Sequence, residues 1–302
     1  PGCSAACGLQ IGTRDGRPLK MEGLAEHPLS RGGLCAVGQA LPIGLYDSQR
    51  LAGPLQNGKP AEWKNVDQEI VQALDRVKSQ SKAVRIVTPT VTSPTLLARI
   101  TAFVKQFPDG RHVVFDPVSS SAILDAHQQT HGARVLPHYR FDRAALIVSF
   151  GADFLGTWIS PVEFTAGWST RRAPRADKPE MSHHVQFESR MSLTGSNADR
   201  RYAMHPSQQG PLINRLAEIV ATLAGKPLAE KTNTNIDDKL DPELAKLAER
   251  LWNERGKCLV VCDNQDVSVQ RYVNYINHLL GNYGTTLDLE RPSRQRQAND
   301  RD

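Results

Sequence analysis

From residue 60 onward, short apolar runs alternate with stretches of helical periodicity, and this alternation constrains the fold more than any other feature. "AVRIVTP" (Ala83 to Pro89) reads as a buried strand, and "HVVFDP", "ALIVSFG", "HHVQFES" and "KCLVVCD" read as further strands. Between them lie helical patterns. Val66, Ile70, Leu74 and Val77 form one apolar stripe, with Asn65 as its cap and Gln68 three residues on. Ser93-Pro94 supplies an N-cap and a first-turn proline for a helix carrying Leu96, Ile100, Phe103 and Phe107. "SSSAILDAHQQTHG" and "GPLINRLAEIVATLAG" are further helices. Asp241-Pro242 opens another through Leu244, Leu247 and Leu251 to Gly256, and Val269, Val273, Ile276 and Leu280 stripe a last one ending at Gly281. Residues 156–180 read as irregular. Strands separated by helices predict an α/β fold with Rossmann-like parallel sheets.

The opening segment is different. Residues 8–22 alternate around Asp15-Gly16, a dipeptide that accepts positive φ at both central positions of a hairpin turn. Three of the five cysteines, Cys3, Cys7 and Cys35, flank that hairpin in turn-rich, Gly-rich chain. Such a set fits an iron–sulfur cluster, which takes thiolates, usually four, some closely spaced and one remote. Three thiols complete a site only for a three-iron cluster or with an outside ligand, and a cysteine just before Pro1 would supply that ligand. Zinc with His27 as fourth ligand, or three free thiols, are the alternatives at this stage. Cys258 and Cys262 lie four apart on a strand, hence about 13 Å apart. A disulfide needs Cα atoms within about 7 Å, so these two are predicted to be core thiols.

The chain has 302 residues, 39% of them apolar and 23% charged, which fits about two soluble domains. No apolar run approaches the roughly 20 residues of a membrane helix. The net charge is +5, but the basic residues are dispersed except in "STRRAPRADK" and the C-terminal tail, and aromatics are only 6%. Nucleic-acid binding would want a basic stripe interleaved with aromatics. The chain begins at Pro1 with no export-signal layout, ends on a polar tail after a strand-like "GTTLDL", and is expected to be cut at both ends. No P-loop, G-x-G-x-x-G after a strand, or Ser-His-Asp ordering is visible. His183 and His184 would point to opposite faces of a strand, so they cannot chelate one ion side by side. His138 and Tyr139 read as packing residues under a loop.

Cys3, Cys7, Glu22-Gly23, His27-Pro28, Gly33-Leu34-Cys35 and Tyr46-Asp47 together resemble the opening of the molybdopterin oxidoreductase family. "ALIVSFGADFLGTW" resembles the family's strand-then-Gly segment against which a pterin nucleotide lies, and "FESRMSLTGSNADRRYAMHPS" and "YINHLLGNYGTT" are similar to its later segments. Within it, "HGARVLPHYRFDRAALIVSFGADFLGTWISPVEFTAGW" and "HHVQFESRMSLTGSNADRR" resemble the B subunits of alternative complex III, a respiratory quinol oxidoreductase. The resemblance implies a small β-rich cysteine subdomain over 1–58, a first Rossmann-like region over 59–143 and a second over 144–302. It also implies a 4Fe-4S cluster at Cys3, Cys7 and Cys35, and partner subunits of a membrane-bound respiratory complex. A ferredoxin-like iron–sulfur module would follow this segment, on the periplasmic side of the bacterial inner membrane.

The resemblance further implies where molybdenum chemistry would sit, and the letters there are changed. Catalytic relatives commonly carry Lys or Arg two residues after the last cluster cysteine, where this chain has Val37 in "LCAVG". The metal-ligand position falls on Ser119, Ser120 and Ser121, which also suit the cap of the following helix. Gly151, Arg190 and Thr194 match pterin-nucleotide positions. Asp153 puts a carboxylate near the expected diphosphate, and Glu188 and Ser189 replace the family's Asp and Pro. Molybdopterin guanine dinucleotide is therefore expected to be absent, and the chain to be a scaffold half whose own catalysis is doubtful. The alternative is a catalytic bis-pterin molybdenum oxidoreductase with a serine ligand. "FLGTWISPVEF" resembles an interaction loop, with Phe154, Trp158 and Phe164 set to bury against a partner.

Overall fold

The computed structural model describes residues 3–173, 179–228 and 236–301. Residues 174–178 of the basic segment "STRRAPRADK" lie outside them. The hairpin forms as its turn residues dictate: Asp15 and Gly16 have φ of 51° and 75°, and they join β1 (Leu9–Arg14) to antiparallel β2 (Arg17–Gly23). Helix α1 (Ala36–Tyr46) rests on β2. The Tyr46 hydroxyl donates to the Pro18 carbonyl at 2.8 Å and ties the end of that helix to the hairpin. Gly23 lies so close to Gly32 and Gly33 that a Cβ would overlap their backbone. The loop carrying Cys35 is therefore clamped to the hairpin. A two-residue ribbon follows, β3 (Leu55–Gln56) and β4 (Lys59–Pro60).

Helix α2 (Trp63–Ser79) starts before the predicted cap at Asn65, because the Asn65 amide already bonds the Glu62 carbonyl at 3.0 Å inside the first turn. Its stripe is only partly covered, and Ile70 is 51% exposed. Strand β5 (Val84–Thr88), helix α3 (Pro94–Val104) and strand β6 (Gly110–Val114) form a βαβ unit. The Ser93 hydroxyl caps α3 from the predicted position, accepting from the Leu96 amide at 3.3 Å. The expectation of a buried β5 is corrected: it pairs with β6 alone, its burial alternates, and Val87 faces out. A two-stranded sheet has helices enough here to cover one face only.

Helix α4 (Ser121–His131) ends at Gly132 in the left-handed region, and β7 (Leu136–Tyr139) follows. The main sheet begins with β8 (Leu146–Phe150), then α5 (Pro161–Thr170), β9 (His183–Glu188), the single turn α6 (Leu193–Ser196) and β10 (Arg200–Ala203). Helices α7 (Gln209–Leu223) and α8 (Asp241–Asn253) lead to β11 (Cys258–Cys262), α9 (Val267–Leu279) and β12 (Leu287–Ser293), which pairs with β7. The four strands run in parallel in the order β10-β9-β8-β11. This is the α/β architecture the alternation predicts.

Both faces of that sheet are covered, which explains the unbroken apolar runs. Leu146, Val148 and Phe150, with Cys258, Val260 and Cys262, pack under α7, α8 and α9. Ile147, Leu259 and Val261 face the other way, onto α4 and an aromatic cluster. That cluster corrects two expectations. Residues 156–180 contain α5, started by Ser160-Pro161 just as Ser93-Pro94 starts α3. Phe154, Trp158 and Phe164 are not free for a partner; they are buried with Tyr139 and Phe141 at ring separations of 4.3 to 5.9 Å. Intramolecular aromatic packing outcompetes exposure wherever the fold supplies partners.

Strand β11 is an edge, and its outward backbone groups need partners. Asn277 on α9 provides them: its Nδ2 donates to the Val260 carbonyl at 2.8 Å and its Oδ1 accepts from the Val260 amide at 3.2 Å. Asn282 in turn donates to Asn277 Oδ1 at 2.8 Å. The predicted core thiols sit beside this lock. Cys258 and Cys262 are free and buried, and burial pushes the Cys258 thiol up to about 11. No helix among the described residues is long and apolar enough to cross a membrane.

Candidate functional site

Two places gather the residues that the sequence singled out. At the first, the hairpin, the Cys35 loop and α1 bring Cys3, Cys7 and Cys35 within electrostatic reach of one another. Burial, then the Cys3 and Cys35 sulfurs, push the Cys7 thiol upward. The Cys35 sulfur caps α1, accepting the Gly38 amide at 3.4 Å. Among the described residues no group of three His, Cys, Asp or Glu side chains is close enough to hold a single metal ion. The zinc alternative rests on His27. His27, its fourth ligand, is engaged through Nδ1 with the Ser30 hydroxyl at 3.0 Å and packs tightly on Gly8. Three free thiols, one of them taking a helix amide, are donors of the kind a multi-iron cluster would draw on for one-electron transfer.

The second place is a cavity of about 520 Å³ at the carboxyl ends of β8, β9 and β11. It lies where the strand order reverses, β9 on one side of β8 and β11 on the other, which is where open parallel sheets bind ligands. Its size suits a small molecule. Val118, Ser119 and Ser120 close one end, and Gly151, Asp153, Glu188 and Arg190 line the other. The cavity thus joins the predicted metal-ligand and nucleotide positions in one space. Thr194 lies just beneath, fully buried.

Ser119, Ser121 and Gly151 are engaged by the fold, whereas Ser120 and Arg190 face the cavity. The Ser119 hydroxyl donates to the Asp300 carboxylate and accepts the Ser121 amide at 2.9 Å, so it caps α4. Ser121 accepts from Arg134 at 3.1 Å. Ser120 lines the cavity. Gly151 adopts φ of 73° and approaches Asp263 and Gln209 too closely for any Cβ. Arg190 is exposed at the cavity rim. Val37 is 70% exposed in a groove of about 870 Å³ lined by Leu155, Val162 and Leu193.

Asp153, Glu188 and Asp263 project three carboxylates around the nucleotide end. Asp153 Oδ1 accepts from the Thr194 amide at 3.1 Å and its hydroxyl at 2.8 Å. Glu188 is 3% exposed and accepts from the Ser192 amide, the Ser192 hydroxyl and Arg201 Nε at 3.1, 2.6 and 2.6 Å. Burial opposes its charge, but Ser192 and Arg201 outweigh burial and hold the carboxyl below its ordinary range. Burial raises Asp263 instead, against the hydrogen bond from Gln209 at 2.7 Å. The Asp263 and Gln209 contributions were not legible in the sequence. The only signal was the "CD" that ends the β11 run, since the carboxyl ends of parallel strands beside a reversal of strand order border the ligand crevice.

Other predicted polar residues are structural. His184 is buried at the start of a polar ladder to Gln186 and Glu188, while His183 points the other way toward Asp199. Burial holds His184 at about 4, so it is neutral near pH 7. His138 pairs with Glu163 at 2.9 Å.

Residues 1–46, which carry the three thiols, match the family model described as the molybdopterin oxidoreductase Fe4S4 domain. The opening segment is thus similar to the iron–sulfur domain of molybdopterin oxidoreductases. The chain is similar to a probable oxidoreductase, YoaE, of Bacillus subtilis, with 30% identity over 88 residues, 26% of this chain and 12% of that protein. It is also similar to the menaquinone reductase, molybdopterin-binding-like subunit, of Nitratidesulfovibrio vulgaris, with 24% identity over 159 residues, 52% of this chain and 23% of that one. Among solved structures, acetylene hydratase from Pelobacter acetylenicus has the same fold over 94% of this chain and 38% of its own, with a TM-score of 0.54 and 13% identity. The matches thus span well under half the length of these relatives.

Proposed function

We propose that this chain is the molybdopterin-oxidoreductase-like half of a respiratory quinol oxidoreductase subunit of the alternative complex III type. In this reading it carries an iron–sulfur cluster at Cys3, Cys7 and Cys35, binds no molybdenum, and acts as a scaffold beside further iron–sulfur clusters. Its partners are the other subunits of a membrane-bound complex, through which it sits on the periplasmic side. The observation that carries the reading is the engagement of the metal-ligand position: Ser119 is tied to Asp300 and the α4 backbone, Ser121 to Arg134, and among the described residues no thiol lines the cavity. A relative named for menaquinone reduction and for molybdopterin-binding likeness supports a quinone-linked role.

Ser120→Ala in the intact complex tests this. The quinol oxidation rate is expected to stay at the wild-type value, because the hydroxyl ligates nothing. A complete loss of activity in a complex that still assembles would instead support the catalytic bis-pterin reading, with serine as the metal ligand.

A further inference from the structure

A diphosphate bound at the carboxyl end of a parallel sheet needs free amide and hydroxyl donors, a nearby cation and room against glycine backbone. Such donors, a cation and glycine backbone lie in and beside the wall of this cavity, and two of the chain's own carboxylates engage them, while Arg190 and Arg296 also line it. Asp153 uses the amide and hydroxyl of Thr194. Glu188 uses the amide and hydroxyl of Ser192 and the guanidinium of Arg201. The glycine positions are filled as well: a Cβ on Gly156 would overlap the Asp153 carboxylate, and a Cβ on Gly195 would overlap that of Glu188.

We infer that Asp153 and Glu188 stand in for the anionic groups of a nucleoside diphosphate and close this cavity to such ligands. The inference rests on the reading of a molybdenum-free chain and deepens it, since it names what excludes the nucleotide. Two carboxylates act together here. They satisfy the Thr194 and Ser192 donors, and they place negative charge where phosphate oxygens would lie. The cavity survives as space while the Thr194 and Ser192 donors beside it are spent on the protein itself.

The test is GDP binding to the full-length protein, measured by calorimetry at low salt. Wild type is expected to show no binding at about 1 mM ligand, a level that detects even weak complexes. Asp153→Asn combined with Glu188→Gln keeps both side-chain shapes and the Thr194 contacts, and removes two negative charges from the cavity wall. It is expected to gain GDP binding at least tenfold tighter than wild type. Should the double variant fail to fold, Asp153→Asn alone, which preserves its bonds to Thr194, gives a gain of the same sign. GDP binding by wild type as tight as by the variants overturns the inference, and so does a folded variant with no gain. Neither result touches the absence of molybdenum, which is read separately by metal content.

Discussion

Cys35→Ser in the full-length protein lowers its iron by about four atoms per chain, one cluster's worth, and removes that cluster's electron paramagnetic signal. Cys35 is held in place by its own helix and by the hairpin. Its sulfur is held by the Gly38 amide, and its loop is pressed on the hairpin at Gly23. Gly23→Ala therefore produces the same loss without touching a thiol, since the added methyl would overlap the Gly32 carbonyl and push the loop away. A conservative change on an exposed part of the hairpin, Lys20→Arg, leaves iron unchanged. Wild-type iron in both Cys35→Ser and Gly23→Ala would mean that the opening thiols hold no cluster.

Asn277→Leu destabilises the main α/β unit by roughly 4 kcal/mol, because it strands two buried backbone groups, each worth about 1 to 3 kcal/mol. The substitution removes the partners of the Val260 amide and carbonyl on the β11 edge and the acceptor of Asn282 Nδ2. Leucine is nearly the same size, so cavity formation contributes little. The melting temperature is expected to fall by about 10 °C. Thermal unfolding followed by circular dichroism reads it, and a shift under about 2 °C would show that β11 does not rely on this lock.

Local chemistry made much of the fold legible in the sequence. Asp15-Gly16 has one good turn type available, and Ser93-Pro94 one good role, so both appear as expected. Gly132 and Gly281 end helices because their backbone lies in the left-handed region. The alternation of apolar runs gave the parallel sheet because burial on two faces leaves no polar side to mark. Periodicity says that a face needs cover without saying what covers it. The stripe of α2 and the strand β5 therefore look like core in the letters and are half-open among the described residues. The converse error befell Phe154, Trp158 and Phe164, whose partners Tyr139 and Phe141 come from a strand and turn that carry little signal of their own.

The site was legible as positions and illegible as contacts. The spacing of Cys3, Cys7 and Cys35 named the thiols, and the segments after β8 and β9 named Gly151, Asp153, Glu188 and Thr194. Which donor each carboxylate would claim depends on the strand order β9-β8-β11, which no local pattern encodes. Asp153 and Thr194 are far apart in sequence and meet only because α6 folds over the end of β8. Asp263 enters from the opposite side of β8 for the same topological reason.

Iron and molybdenum counted per chain, by elemental analysis of the natively purified full-length protein in its complex, test the central claim most directly. The account predicts iron sufficient to include the cluster at Cys3, Cys7 and Cys35, and no molybdenum. Molybdenum at one atom per chain would contradict it and make this chain a catalytic subunit.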